Sequence, residues 1–284
     1  MTEVTLQAEP FVRLGFFVSI LMAMGIWEAL APRRERSLPR LERWPGNLGI
    51  VVLNTLLLRI LFPTATIGVA LLGEERGWGL LSTLALPQWM EAVIAVLVLD
   101  LTIYLQHVLF HAVPWLWRLH RMHHADLDFD VTTGVRFHPI EIVLSMIIKL
   151  TVVAALGAPA MAVLIFEVLL NATSLFNHGN VRIPLPFDRF LRWLVVTPEM
   201  HRVHHSWYPN ETNSNFGFNL PWWDRLLGTY QDQPRDGHEG MTIGINQFRE
   251  PAWERLDRML IQPFTGPAGS YPINVRETKE KKEN

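Results

Sequence analysis

The chain has 284 residues, enough for one large domain or two small ones. About half of them, 49%, are apolar, only 18% are charged, and the formal net charge is −2, a balance that points to a membrane and away from nucleic acid as a partner. There is no cysteine, which excludes disulfides, cysteine-bound zinc, iron–sulfur clusters and a thiol nucleophile, and leaves the redox compartment open.

Residues 1–10 carry Glu3 and Glu9 and lack a basic n-region, so the apolar run Leu14–Ala31 reads as a retained anchor rather than a cleaved signal. A second apolar segment covers Leu48–Leu72 and contains Asn54, Arg59 and Pro63; a third covers Trp89–His107. Two more, Ile140–Leu156 and Pro159–Phe176, meet at Gly157–Ala158–Pro159 and are short for spans, which suggests a tilted or re-entrant hairpin. The first connection holds Arg33, Arg34, Arg36, Arg40 and Arg43; residues 73–88 hold only Arg76 beside Glu74 and Glu75. The positive-inside rule then puts the first loop, the end of the third span and everything from His178 onward in the cytoplasm. The tail Thr278–Asn284 is charged and expected to be disordered; its Lys281–Lys282 pair has the form of a dilysine signal, but a solvated tail is the simpler expectation.

Eight of the eleven histidines fall in three groups: His107 with His111, then His120, His123 and His124, then His201, His204 and His205. Positions i, i+3 and i+4 share a helix face, so each group is expected to aim its rings at one point. A single His-x3-His pair carries little weight. Two copies of His-x-x-His-His arise together by chance on the order of once in ten thousand such chains. Eight imidazoles are too many for one ion, and four per ion gives two. Neutral imidazole suits iron, zinc, copper or nickel, so the ligand type alone does not name the metal.

The run His107-Val-Leu-Phe-His111, His120-Arg-Met-His-His124 and His201-Arg-Val-His-His205 resembles the fatty acid hydroxylase/sterol desaturase superfamily of membrane di-iron oxygenases. So do the flanks: Asp100-x3-Tyr104-x2-His107, the stretch from Thr132 to Glu141, Thr197–Pro198, Asn215-Phe216-Gly217, and Trp223-Asp-Arg-Leu-Leu-Gly-Thr-Tyr230. The resemblance covers residues 89–232; Val108 departs from it, since many relatives carry a basic residue there, at a position that is not a ligand. It implies an all-α integral membrane bundle with a cytoplasmic helical cap, in which two iron ions, with zinc as another occupant, use O2 to oxidise an aliphatic C–H bond of a lipid to an alcohol or alkene. The eight histidines would be the catalytic ligands. His178 sits where relatives place a further histidine and is expected to join them. His138 is expected to support ligands rather than bind, and His238 to do neither.

Asp100 and Tyr104 lie seven and three residues before His107, near one helical face, where Asp100 is expected to accept a hydrogen bond from a metal-bound imidazole. The competing reading pairs Asp100 with Arg59. Tryptophans 115, 117, 193, 207, 222 and 223 flank the motifs and are expected to seat the cap at the membrane surface. With no cysteines and no dinucleotide fingerprint, an external electron donor of ferredoxin or cytochrome type, with its reductase, is implied. The expected division is 1–88 membrane anchor, 89–232 catalytic region and 233–284 tail. Two rivals share the histidines: a dizinc lipid hydrolase using Glu199 as base, and a non-enzymatic membrane metal-binding or transport protein, which would favour ligands inside the spans.

Overall fold

A computed structural model describes residues 3–275; the charged tail and its Lys281–Lys282 pair lie outside them. The described residues form helices and no named strands, with five segments long and apolar enough to cross a membrane. Helix α1 is Glu3–Leu30, α2 Arg40–Leu61, α3 Ala65–Arg76, α4 Gln88–Ala112, α5 Pro114–His124, α6 Pro139–Leu156 and α7 Ala160–Asn177. The short cap helices are α8 Leu185–Leu191, α9 Pro198–His204, α10 Pro209–Thr212 and α11 Trp222–Leu227.

The second apolar segment is broken. Pro63 has no N–H and disfavours helical geometry at the residue before it, so α2 stops at Leu61, Phe62 leaves the helical region, and α3 restarts at Ala65. Helices α6 and α7 have 18 residues each, about 27 Å at 1.5 Å per residue, slightly short of a hydrocarbon core of roughly 30 Å, as their lengths in the sequence suggest. Their joint needs Gly157: its φ is +66°, and a Cβ there would strike the backbone of Trp78 and Gly79.

Outside, the spans present Phe11, Leu14, Val52, Ile60 and Val93 to lipid. Inside, Ala70, Ala95, Ala158, Ala160 and Ala162 let α3, α4, α6 and α7 pack closely around Leu99, Ile103, Val163 and Phe166. One ionic knot sits among them. Glu167 of α7 accepts from Thr66 at 2.6 Å and pairs with Arg13 at 2.8 Å and Lys149 at 3.4 Å, tying α1, α3, α6 and α7 together.

The cap is built the opposite way, around buried charge. Arg43 of α2 makes a two-pronged contact with Asp126 (2.6 and 2.8 Å) and reaches Asp130 at 2.7 Å, while Arg136 binds Glu254. Burial alone would raise the Asp126 carboxyl; Arg43 and Arg136 hold it below the usual range instead. Residues 31–34 pair with 180–182 through a Pro32–Val181 bridge, and Glu28 accepts from the backbone of Val131 and Asn180. Arg121 donates to the carbonyls of Gln262, Thr265 and Pro267. Most of the arginines of the first connection are thus fastened to the cap. Of the flanking tryptophans, Trp115, Trp193 and Trp222 are exposed as a surface seat requires; Trp117 is wholly buried and stacks on Tyr271, so it is core.

Candidate metal centre

Four short pieces of helix deliver the histidines. The last two turns of α4 carry His107 and His111; Val113 breaks the helix and Pro114 starts α5, which carries His120, His123 and His124. Thr197 caps α9, its hydroxyl accepting from the Met200 N–H, and Pro198 takes the first helical position; His201 and His204 lie on α9 and His205 just past it. His178 is the residue after α7.

All nine rings are buried, none more than 3% exposed. They form two sets, each with its candidate ligand atoms within 4.8 Å of one another: His107, His111, His120, His124 and His204 in one, His123, His178, His201 and His205 in the other. The expectation that each sequence group aims at a single point is corrected here. His123 and His124 are about 100° apart around their helix, so neighbours in one motif turn to different sets, as do His204 and His205. His178 completes the second set. His138 stands apart: it caps α6 by accepting from the Ile140 N–H, and its other nitrogen meets the Leu260 carbonyl at 3.2 Å.

The ring nitrogens divide by role. Nδ1 of His107 donates to the Phe216 carbonyl (2.8 Å), that of His204 to the Ser214 carbonyl (2.7 Å), that of His178 to the Ser174 carbonyl (2.8 Å) and that of His120 to Glu141 (2.7 Å); that of His111 meets Asn213 Oδ1 at 3.0 Å. A ring that donates from Nδ1 keeps a bare lone pair at Nε2. Yet His107 Nε2 lies 3.0 Å from His120 Nε2. Two lone pairs at that distance repel unless a cation lies by them. A proton is not available at neutral pH: burial, then the neighbouring rings, push His123, His124, His201, His204 and His205 well below 6.5, and burial pushes His120 and His178 to about 3. The donor set fits metal ions.

Asp100 and Tyr104 act at one remove from the rings. Asp100 accepts from the Leu220 N–H (3.3 Å) and the Trp223 indole (2.8 Å), and Arg59 is exposed, so neither an imidazole nor Arg59 is its partner. Tyr104 meets Thr229 at 2.8 Å; Thr229 donates to Asp224, which also accepts the N–H groups of Phe216 and Gly217. Both therefore brace the 215–229 loop that presents the Phe216 carbonyl to His107. Glu199 is likewise occupied: burial favours its neutral form, but a bond from His238 (2.8 Å) and the charges of Arg202 and Arg33 hold it at about 2. His238 is buried in that network rather than lying in a loose tail. Sequence reasoning missed Glu141, quoted only as part of a motif, and Asn213.

Fold and site together define an integral membrane protein whose buried histidine sets could each hold an ion. Residues 92–229, just under half of the chain, match the fatty acid hydroxylase family. It is 33% identical over 150 residues to ornithine lipid hydroxylase OlsE of Rhizobium tropici, a match covering 52% of this chain and 44% of that one. It is 28% identical over 154 residues to alkylglycerol monooxygenase of Xenopus tropicalis (52% and 32% covered) and 26% over 175 residues to cholesterol 25-hydroxylase of Rattus norvegicus (56% and 57%). The chain thus spans less than half the length of the first two relatives. No solved structure matches it.

Proposed function

We propose that this protein is a membrane-bound di-iron oxidoreductase that uses O2 to hydroxylate an aliphatic C–H bond of a lipid. The observation that carries the reading is the pair of converging imidazole sets, with Nδ1 of His107, His111, His120, His178 and His204 turned outward to acceptors and Nε2 atoms turned inward at 3.0–3.2 Å across His107–His120, His111–His124, His123–His178 and His178–His201. In this reading His107, His111, His120, His124 and His204 hold one ion, and His123, His178, His201 and His205 the other. Iron bound there supplies O2 reduction and oxidation of the C–H bond, chemistry that no side chain of this chain performs alone. The protein's own part is to fix ring orientation through Glu141, Asn213 and three backbone carbonyls, to keep the rings unprotonated, and to exclude water. The relatives are named as hydroxylases or monooxygenases, which favours an alcohol product over an alkene. A dizinc hydrolase would need a free base, and Glu199 is engaged by three cationic or hydrogen-bonding partners.

The electrons come from an external donor of ferredoxin or cytochrome type. The centre faces the cytoplasm in this reading, because Arg33 and Arg34 of the basic first connection are fastened to the cap that contains it. Metal analysis of the purified protein, paired with O2 uptake and with lipid profiling of a host with and without the gene, tests the proposal. The expected result is two iron ions per chain, donor-dependent O2 consumption and a lipid heavier by one oxygen. Zinc-loaded protein that cleaves an ester without O2 would replace it.

A further inference from the structure

Six aromatic residues besides histidine have rings within 6.5 Å of the histidine sets among the described residues: Phe110, Trp117, Phe129, Phe137, Phe216 and Phe218. Four of them are sealed, at 2% exposure or less. Phe218, at 8%, and Phe137, which is half-buried, are the two that retain surface. Those two are also neighbours, with centroids 6.5 Å apart. Phe218 belongs to the apolar cluster formed by Ile67, Leu99, Ile103, Val163 and Phe166 of the membrane helices, and Phe137 packs against the same cluster.

Their place on the centre is specific. Phe137 stacks on His123 at 4.6 Å with a 12° interplanar angle and lies over His120 at 6.1 Å. Phe218 faces His107 at 5.2 Å and His201 at 6.0 Å. Each phenylalanine therefore touches one ring of each set, so the pair straddles the seam between them on the side of the membrane interior. Their backbones are tied to the spans: Asn54 of α2 donates to the Phe137 carbonyl (2.9 Å) and Asn177 of α7 to the Phe218 carbonyl (3.1 Å). Phe129 packs instead with Met241 and Ile243, and Trp117 with Ile245 and Tyr271, and neither has exposed surface.

We propose that Phe137 and Phe218 form an aromatic threshold across which an aliphatic chain passes from the membrane interior to the histidine sets, and that their bulk sets which carbon is presented. This rests on the reading of the protein as a lipid hydroxylase. An apolar chain approaching from the lipid side meets the apolar cluster of the membrane helices and then the two phenylalanine rings. Smaller residues at the threshold let the chain slide further in, so the oxidised position moves along it. One methylene in an apolar pocket carries about 10- to 200-fold discrimination, enough to move a product distribution.

Two experiments test this, one of them independent of catalysis. In the first, a fatty acid carrying a diazirine in mid-chain is photolysed with the full-length protein as purified, under argon and without an electron donor, so that no turnover occurs. Label is expected within residues 136–140 and 216–220; label confined to lipid-facing positions such as Val52 and Val93 would overturn the threshold. In the second, the product position is mapped by mass spectrometry for the wild type and for Phe137→Leu, Phe218→Leu and the two alanine variants. A shift by one or more carbons at wild-type metal content is expected. An unchanged position in every variant would overturn the proposal, as would metal loss from the leucine variants with residual product at the original carbon. A wild type that oxidises no lipid defeats the functional reading instead, and the photolabelling alone then decides the threshold.

Discussion

In the five-histidine set, four rings have Nδ1 bonded to an acceptor: Phe216 O, Asn213 Oδ1, Glu141 and Ser214 O. In the four-histidine set only His178 does, through Ser174 O, and Nδ1 of His123, His201 and His205 has no partner among the described residues. Outward bonds of this kind fix the tautomer and the ring plane before a metal arrives. One half of the centre is therefore set by the protein, and the other takes its final geometry from what binds. The two halves should differ in how tightly they hold an ion, and that difference can be broken or sharpened by experiment.

The largest effects should come from the rings themselves. His124→Ala and His205→Ala should each abolish turnover. His205→Ala should leave the five-histidine ion in place and so retain about half the metal, whereas His124→Ala should disturb the better-held half. Full metal and activity in either purified variant would defeat the ligand assignment. Acid should come next. Burial holds His178 at about 3 and His123, His201 and His205 well below 6.5, whereas histidine in an open or unfolded state takes up a proton near 6.5. As pH falls below 6.5, the open state gains protons that the closed state refuses, so stability and metal retention fall with acid and are level above that value. Metal measured between pH 7.5 and 5.0 should leave in two steps, the four-histidine ion first; one joint step would erase the distinction between the halves.

Glu141→Gln should cost about 10- to 100-fold in metal affinity or turnover, the usual penalty for losing a ligand's outward acceptor, and only at the five-histidine ion. Equal weakening of both ions would mean that Glu141 holds the fold rather than His120. The smallest effect should be that of Asp100→Asn. The amide can still accept from Leu220 and Trp223, and Asp100 reaches His107 only through the 215–229 loop, so turnover per bound metal should fall by less than for Glu141→Gln. A larger loss than for Glu141→Gln would restore a direct role for Asp100.

The histidine pattern was legible because helical spacing is local: His107 with His111, and His-x-x-His-His twice, state which rings are near one another. Their sorting into sets was less so, since it depends on how α4, α5 and α9 pack. The partners of the rings were not legible at all. Glu141 lies 21 residues from His120, Asn213 lies 102 from His111, and backbone carbonyls carry no side-chain signature. The spans are legible as apolar runs, whereas the break at Pro63 lies inside one such run and shows only in the fold. Glu199 and His238 looked unrelated in sequence; only the folded cap brings them to 2.8 Å.

The stack of Trp117 on Tyr271, with Arg121 gripping the carbonyls of 262, 265 and 267, has a consequence in time. All nine histidines of the two sets are synthesised before residue 206, yet Tyr271, which covers Trp117, follows 66 residues after His205. At roughly 5 to 20 residues per second, about 3 to 13 seconds pass between the synthesis of the last ring, His205, and that of Tyr271. During that interval the wall behind His111 and His124 is unfinished, and it closes only when the end of the described chain folds back over α5. If the centre binds metal as proposed, an ion would have an open side to enter by during that interval.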